Sequence, residues 1–280
     1  MRQTFTNLGC GSRFHPEWLN FDIHSTSPHV CACNILQGVP LADASCDAVY
    51  NAALLEHLHP AQASAFLREC HRILKPGGVL RIGVPDLERI AETYLQKLRA
   101  ALAGSAEAGT HHEWMVFELI DQMVRPHSGG EMLKAIREGR TDDEFVSQRI
   151  GDEFRQLKVA PESRWTRLRQ LPRQEAARRL WAEFLKAPTT IRRGLALAIL
   201  GARDRMALRE GFFRASGEVH RWMYDRYSLP RLLMSCGFRD PTVREFHSSA
   251  IAPDWPGFGL DTDEDGKPLK PDLLFVECVR

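Results

Sequence analysis

A β-prone run, Phe5-Thr6-Asn7-Leu8, breaks into the glycine turn Gly9-Cys10-Gly11-Ser12, and a second run, Trp18-Leu19-Asn20-Phe21, ends on the carboxylate of Asp22. By itself Gly9-x-Gly11 also fits a bare turn without a ligand. A strand, a glycine turn and an acidic residue at the tip of the next strand are how a Rossmann-like sheet builds a nucleotide site. The glycines allow positive φ and a close backbone approach that a Cβ would block. An ionised carboxylate only accepts hydrogen bonds, which suits the two hydroxyls of a ribose. Phe14 stands where the third glycine of the dinucleotide fingerprint would be, so a nucleoside without a pyrophosphate is favoured over a dinucleotide.

The segments that follow keep the order such a sheet requires. Val30–Ile35 reads as a third strand with Asn34 near its tip, where it either meets an adenine or serves as a turn residue. Cys46–Asn51 reads as a buried fourth strand opening onto Asn51-Ala52-Ala53-Leu54-Leu55-Glu56-His57-Leu58. Pro60 then starts a helix whose apolar positions are Ala63, Phe66, Leu67, Cys70, Ile73 and Leu74, stopped by Lys75-Pro76-Gly77-Gly78. Val79–Val84 is a further strand, and Asp86 precedes the periodic run Leu87, Ile90, Ala91, Tyr94, Leu95 and Leu98. Strand and helix alternating in this way argue for parallel pairing with right-handed crossovers.

From about 101 to 216 the pattern is helical without recognisable strands. Thr141-x-x-Glu144 reads as a capping box. The arginine-rich part, 164–214, reads as solvated helix faces or, around Ile191–Leu200, as a peripheral membrane contact. Towards the end, Ser228 caps a helix closed by Gly237, Thr242–Phe246 is a strand, and Leu273–Val279 is the last strand, reached by a connection suited to an antiparallel hairpin. Asp261-x-Asp263-x-Asp265-Gly266 mimics a calcium loop, but the flanking helices of one are absent and a plain acidic tip is the better reading. We therefore expect an α/β fold, a Rossmann-like, mostly parallel sheet with an antiparallel last strand. Its parts are a cofactor-binding core at 1–100, a helical insertion at 101–216, and a helix with strands at 217–280.

A formal net charge of +1 gives no global attraction to nucleic acid. Seven cysteines with no Cys-x-x-Cys read as reduced thiols, and the N-terminus shows no targeting segment, so a soluble cytoplasmic protein is expected.

Asn7-Leu8-Gly9-Cys10-Gly11, the acidic tip Asp22, Leu55-Glu56-His57-Leu58 and Arg72-Ile73-Leu74-Lys75-Pro76-Gly77-Gly78-Val79-Leu80 together resemble the class I S-adenosylmethionine-dependent methyltransferases. Within these the chain is similar to the small methyltransferases of bacterial surface-glycan and lipopolysaccharide synthesis. The resemblance implies S-adenosylmethionine as cofactor, no metal, and a small-molecule or glycan acceptor. It also implies a cofactor site made of Asn7, Leu8, Gly9, Cys10, Gly11, Asp22, Ile23, Asn34, Ile35, Asn51, Ala52 and His57. Asn7 and Asn34 replace acidic residues usual in the group, and each replacement removes a charge that would hold the cofactor.

If the acceptor is a sugar hydroxyl, its proton must leave. His57, His220 and Asp86 are the candidate bases, in that order. A packed histidine is an equal reading of His57, and an N-cap is the stronger reading of Asp86. Asp121-Gln122 and Arg125-x-x-Ser128-Gly129-Gly130 read as acceptor-binding or as an inter-helix turn. A non-catalytic cofactor-binding protein and a nicotinamide-dependent oxidoreductase are the alternative functions.

Overall fold

The computed structural model describes residues 3–25, 27–159, 191, 193–195 and 197–280. Seven strands form one sheet in the order β3-β2-β1-β4-β5-β7-β6. They are β1 (Phe5–Leu8), β2 (Leu19–Asp22), β3 (Val30–Ala32), β4 (Cys46–Ala52), β5 (Leu74–Pro85), β6 (Arg239–Arg244) and β7 (Leu273–Val279). The first five pair in parallel, and β7 lies antiparallel between β5 and β6. The expected fold class is the observed one. The order in which strands are added reverses between β1 and β4, and in such sheets the crevice at the carboxyl ends of the strands is where ligands sit.

Helix α1 (Pro60–Ile73) covers one face, burying Ala63, Phe66, Leu67, Cys70 and Ile73 against β4 and β5. Each large apolar side chain in this stripe contributes roughly 1.5–3 kcal/mol by leaving water. The Lys75–Gly78 turn does not sit outside the next strand. It is a bulge within β5, because Cys46 pairs with Leu74 and Ala48 already pairs with Val79. Lys75 Nζ donates to both oxygens of Asp47, at 2.9 and 2.8 Å, and fixes the bulge to β4.

After α2 (Leu87–Leu102) come α3 (Ala106–Val116), a π-helical turn at Phe117–Asp121, α4 (Gly130–Arg137), α5 (Asp143–Ile150) and α6 (Asp152–Lys158). They share a second core of Ile90, Trp114, Met115, Met132, Ile136, Val146, Ile150 and Phe154. Asp142, not Thr141, caps α5, since its Oδ1 accepts from the N–H groups of Glu144 and Phe145. Residues 160–190, with most of the basic stretch, lie outside the described residues. Helix α7 (Ala202–Arg214) buries none of its side chains, as a solvated face would require, while Ile191, Leu195 and Ile199 are exposed. Helix α8 (Ser228–Ser235) returns to the sheet, held at its start by Asp225 Oδ1, which accepts from Tyr227 and Ser228 N–H.

The opposite face of the sheet is closed by the 245–272 connection, and this closure is organised around Arg81. Its side chain is fully buried on β5. Nε donates to Asp261 Oδ2 (2.9 Å), Nη1 to Glu277 Oε1 (2.9 Å) and the Ser248 carbonyl (2.8 Å), and Nη2 to the Glu245 carbonyl (3.1 Å). The guanidinium lies 4.8 Å from the centre of the Trp255 ring and 4.6 Å from that of Phe275. Asp261 also accepts from Tyr50 Oη (2.6 Å) and Trp255 Nε1 (2.8 Å). The first aspartate of the calcium-like spacing is thus committed to the core. Asp263 Oδ1 accepts from the N–H groups of Asp265 and Lys267, which closes a tight turn.

Two stability tests follow from these contacts. Arg81→Met leaves Asp261 as a buried charge without its cation and Glu277 with Arg244 alone, at 3.3 Å, which should cost about 3–5 kcal/mol in urea unfolding. Adding Asp261→Asn removes one stranded charge while keeping an acceptor, so the double variant should be more stable than Arg81→Met alone. The second test concerns acid. Glu69, gripped by Arg72 through two hydrogen bonds, and Asp47, held by Lys75, both have carboxyls lowered from the usual value. Depressed folded values mean that their contribution is complete above the ordinary carboxylate range near pH ~4, and is lost as the pH falls through the lower folded values. Glu69→Gln should therefore flatten the acid limb of the stability curve, as measured by urea midpoints across that range.

Candidate active site

The turn after β1 is built from the strands that flank it. The N–H groups of Gly9 and Cys10 donate to the Phe21 carbonyl at 2.8 and 3.2 Å, and Gly11 N–H donates to Asp22 Oδ2 at 2.8 Å. Asn7 Nδ2 donates to the Arg13 carbonyl at 3.1 Å, tying down the far end of the loop. Gly9 has φ +71°, a conformation that favours glycine, and a Cβ there would press on Leu54 Cδ1 at 2.8 Å. Gly11 has φ +55°, and a Cβ there would find open space.

In front of this loop lies a cavity of about 450 Å³. Asn7, Gly9, Cys10, Gly11 and Ala52 line it, as expected from the sequence. Across from them stand Asp152, Glu153, Gln156 and Leu157 of α6, together with Leu260, Asp261, Leu269 and Lys270 of the last connection. Arg13 Nη2 and Asp152 Oδ2, 3.0 Å apart, bridge the loop to α6. The helical insertion therefore closes one side of the cavity.

The remaining expected residues sit elsewhere. Leu8 is fully buried in the main core and offers nothing to a cavity. Asp22 is half-buried at the strand tip, where Oδ1 accepts from His24 N–H (3.1 Å). Ile23 beside it is 64% exposed. The third strand is shorter than expected, and Asn34 caps a 3₁₀ turn at Ile35–Gln37, its Oδ1 accepting from Leu36 N–H. Ile35 packs on the main core. Asn51 is fully buried, and both atoms of its amide lack a hydrogen-bond partner among the described residues.

His57 belongs to a second cleft, of about 280 Å³. This cleft shares Ala53, Glu153, Leu157 and Lys270 with the first and is otherwise lined by Glu56, Gln122, Arg125, Ser128, Gly129, Glu218, His220 and Asp272, among others. The rings of His57 and His220 meet edge to face with centroids 4.8 Å apart. Asp86, the third candidate base, lines neither cavity. It is the N-cap of α2, with Oδ1 accepting from Arg89 N–H.

Within the insertion, Asp121 caps α4 through the N–H groups of Glu131 and Met132, so it is structural. Its neighbour Gln122 and the Arg125–Gly129 turn do reach the cleft. Lys270 Nζ lies 3.0 Å from Glu153 Oε2, and Arg125 Nη2 lies 3.3 Å from Glu218 Oε1.

Burial inverts the ordinary proton affinities here. It pushes His57 down to about 4, helped by the charge of Lys270, and pushes Glu56 up to about 8 and Asp272 up to about 6. Burial also pulls His220 well below its usual value, with His57 adding to the effect. The sequence reading took Glu56 only as part of a motif and Asp272 only as the far end of the calcium-like spacing, and passed over Glu153 and Lys270. Nothing in their local pattern marks them, because α6 and the last connection reach the cleft only through tertiary packing.

Residues 7–82 match the family described as a methyltransferase domain. A probable S-adenosylmethionine-dependent methyltransferase of Mycolicibacterium smegmatis is 32% identical to this chain over 117 residues, covering 41% of this chain and 45% of that one. The chain thus spans under half the length of that curated relative. Among solved structures, a SAM-dependent methyltransferase of Thermotoga maritima aligns over 100% of this chain and 83% of its own, at 11% identity and a TM-score of 0.40. The 1,6-didemethyltoxoflavin-N1-methyltransferase of Burkholderia thailandensis, solved with S-adenosylhomocysteine, aligns over 30% of this chain and 46% of its own, at 19% identity and a TM-score of 0.25.

S-adenosylmethionine is the cofactor named for the Mycolicibacterium smegmatis relative, and the residues present here fit it. Gly11 faces open space, the cavity has the size of a small-molecule site, and Asp22 spends two of its roughly four lone-pair sites on backbone N–H groups. The rest of that carboxylate remains for a diol. Asp22→Asn should weaken S-adenosylhomocysteine binding by about tenfold or more, the size expected for a lost charge-assisted hydrogen bond. Calorimetric titration checks this, and an unchanged affinity would remove Asp22 from the site.

Proposed function

We propose that this chain is an S-adenosylmethionine-dependent methyltransferase whose acceptor is a small polar molecule bearing a hydroxyl, of the sugar or glycan class. The observation that carries the reading is the continuity of the two cavities. Ala53, Glu153, Leu157 and Lys270 belong to both, so a molecule in the cleft and one in the glycine-loop cavity are neighbours.

When bound, S-adenosylmethionine supplies a methyl carbon activated by a sulfonium. The chain's task is then to hold an acceptor still and in line, which is worth several orders of magnitude in rate. Gln122, Arg125, Ser128 and Glu218 offer donors and acceptors along the cleft wall, which suits a polyol better than an apolar ring. Leu133 and Leu157 add the apolar surface that excludes water. An acceptor oxygen in this cleft would meet the Glu56 carboxyl and the imidazoles of His57 and His220.

The test pairs binding with transfer. Calorimetry with S-adenosylhomocysteine should show one site per chain. Labelled S-adenosylmethionine should methylate members of a panel of free sugars, nucleotide sugars and glycan fragments. Transfer confined to amines or carboxylates in the same panel would refute the hydroxyl acceptor, and absence of S-adenosylhomocysteine binding would refute the enzyme.

A further inference from the structure

Glu56, His57 and His220 bring a carboxylate oxygen and two imidazole nitrogens within 4.8 Å of one another at the second cleft. Two elements supply them. Glu56 and His57 are adjacent on the 3₁₀ turn Leu55–His57, and His220 is delivered by the segment before α8. That segment is pinned to the turn and to the insertion. The N–H groups of Arg221 and Trp222 donate to the Glu56 carbonyl at 2.6 and 3.2 Å, and His220 N–H donates to the Gln122 carbonyl at 3.0 Å.

Two of the three side chains are incompletely satisfied as they stand. Glu56 is 1% exposed, yet its Oε2 has no hydrogen-bond partner among the described residues, and neither does the buried Nδ1 of His57. A buried carboxyl oxygen without a partner is unfavourable unless something compensates it. The nearby cations do not bond to it directly, because Lys270 lies against Glu153 and Arg125 against Glu218, although the charge of Lys270 is felt at Glu56. Asp272, buried in the same cleft, also leaves Oδ1 without a partner among the described residues. Four carboxylates face two cations in the cleft lining, and the surplus is negative.

A second cluster provides the contrast. Glu107, His111 and Asp142 are also close together, but His111 Nε2 is bonded to Asp142 Oδ2 at 2.9 Å and the other Asp142 oxygen caps α5. That set is already satisfied, and Glu107 is exposed.

We propose that Glu56, His57 and His220 form a binding site for a divalent transition-metal cation in the cleft. Two imidazoles and one carboxylate suit Zn²⁺, Mn²⁺, Fe²⁺ or Co²⁺, whereas Mg²⁺ and Ca²⁺ take all-oxygen sets. Three protein ligands leave a coordination position open, the pattern of a reactive rather than a structural site. Here the open side is the cleft itself, so on the acceptor reading above the cation would draw in an acceptor oxygen. The metal site does not depend on that reading, since it is defined by ligands of this chain alone.

The test reads metal directly. The full chain, stripped with chelator and dialysed, is titrated calorimetrically with ZnCl₂ and, in parallel, with CoCl₂ followed by visible absorption. One equivalent should bind, with a Co²⁺ spectrum of mixed nitrogen and oxygen ligation, and Glu56→Gln, His57→Ala and His220→Ala should each weaken it by about tenfold or more. His111→Ala should leave it intact. Should a variant fail to fold, the imidazole NMR signals of the unmodified chain decide, because those of His57 and His220 must shift on adding Zn²⁺. Failure of Zn²⁺, Mn²⁺ and Co²⁺ to bind, binding that survives all three substitutions, or imidazole signals that stay put would overturn the site. S-adenosylhomocysteine affinity, measured on the same samples, reports separately on the cofactor cavity.

Discussion

A guanidinium with no access to water sets the shape of half this molecule. Arg81 sits on a central strand, and its charge is affordable only because two carboxylates, three carbonyls and two aromatic rings converge on it. Most of those partners come from the connection between β6 and β7. That connection has little regular structure of its own, so the ion network does for it what a ladder of backbone hydrogen bonds does for a strand. The consequence reaches the site, because the same connection carries Leu260, Asp261 and Leu269 into the first cavity, Asp272 into the second, and Lys270 into both.

The insertion reaches the site from the other side. Its separate core of Trp114, Met115, Val146, Ile150 and Phe154 makes it rigid enough to present α6 to the glycine loop. Gly151, at φ +57°, lets the chain turn sharply between α5 and α6, and a Cβ there would come within 2.5 Å of the Leu269 carbonyl oxygen. Asp152 N–H donates to that same carbonyl. Insertion and connection are thus joined by backbone at the point where both cavities open. The Arg13–Asp152 pair adds a third tie from the loop, though an ion pair this exposed holds position more than it stabilises.

Local pattern explains what could be read in the sequence. The strands of the core announce themselves by β-prone runs and the helices by apolar spacing, and the glycine turn has a geometric meaning that needs no tertiary context. The order of these pieces was enough for the sheet, including its antiparallel last strand. Asn34 shows the limit, since a strand end and a turn cap share the same residue preference and only the shortness of β3 decides between them. Arg81 shows another. An arginine in an otherwise apolar strand reads as a solvent-facing position, and its burial depends on Asp261 and Glu277, roughly two hundred residues away. The cleft positions of Glu153, Lys270 and Asp272 were hidden for the same reason.

Asp261 and Glu56 illustrate two ways of burying a carboxylate. Asp261 is answered by Arg81, Tyr50 and Trp255, all at hydrogen-bond distance, and the result is architecture. Glu56 is equally buried, and its Oε2 is answered by nothing among the described residues. Its acidity shifts accordingly, with the carboxyl near 8 beside an imidazole near 4. A fold that can satisfy a buried charge as thoroughly as this one does at Arg81 has no difficulty in principle doing so again. Unsatisfied polar groups gathered at one cleft, next to a cavity of small-molecule size, are therefore better understood as a cost carried for binding than as a defect of packing. The core takes its partners from within the chain, and the cleft is left to take its partners from outside.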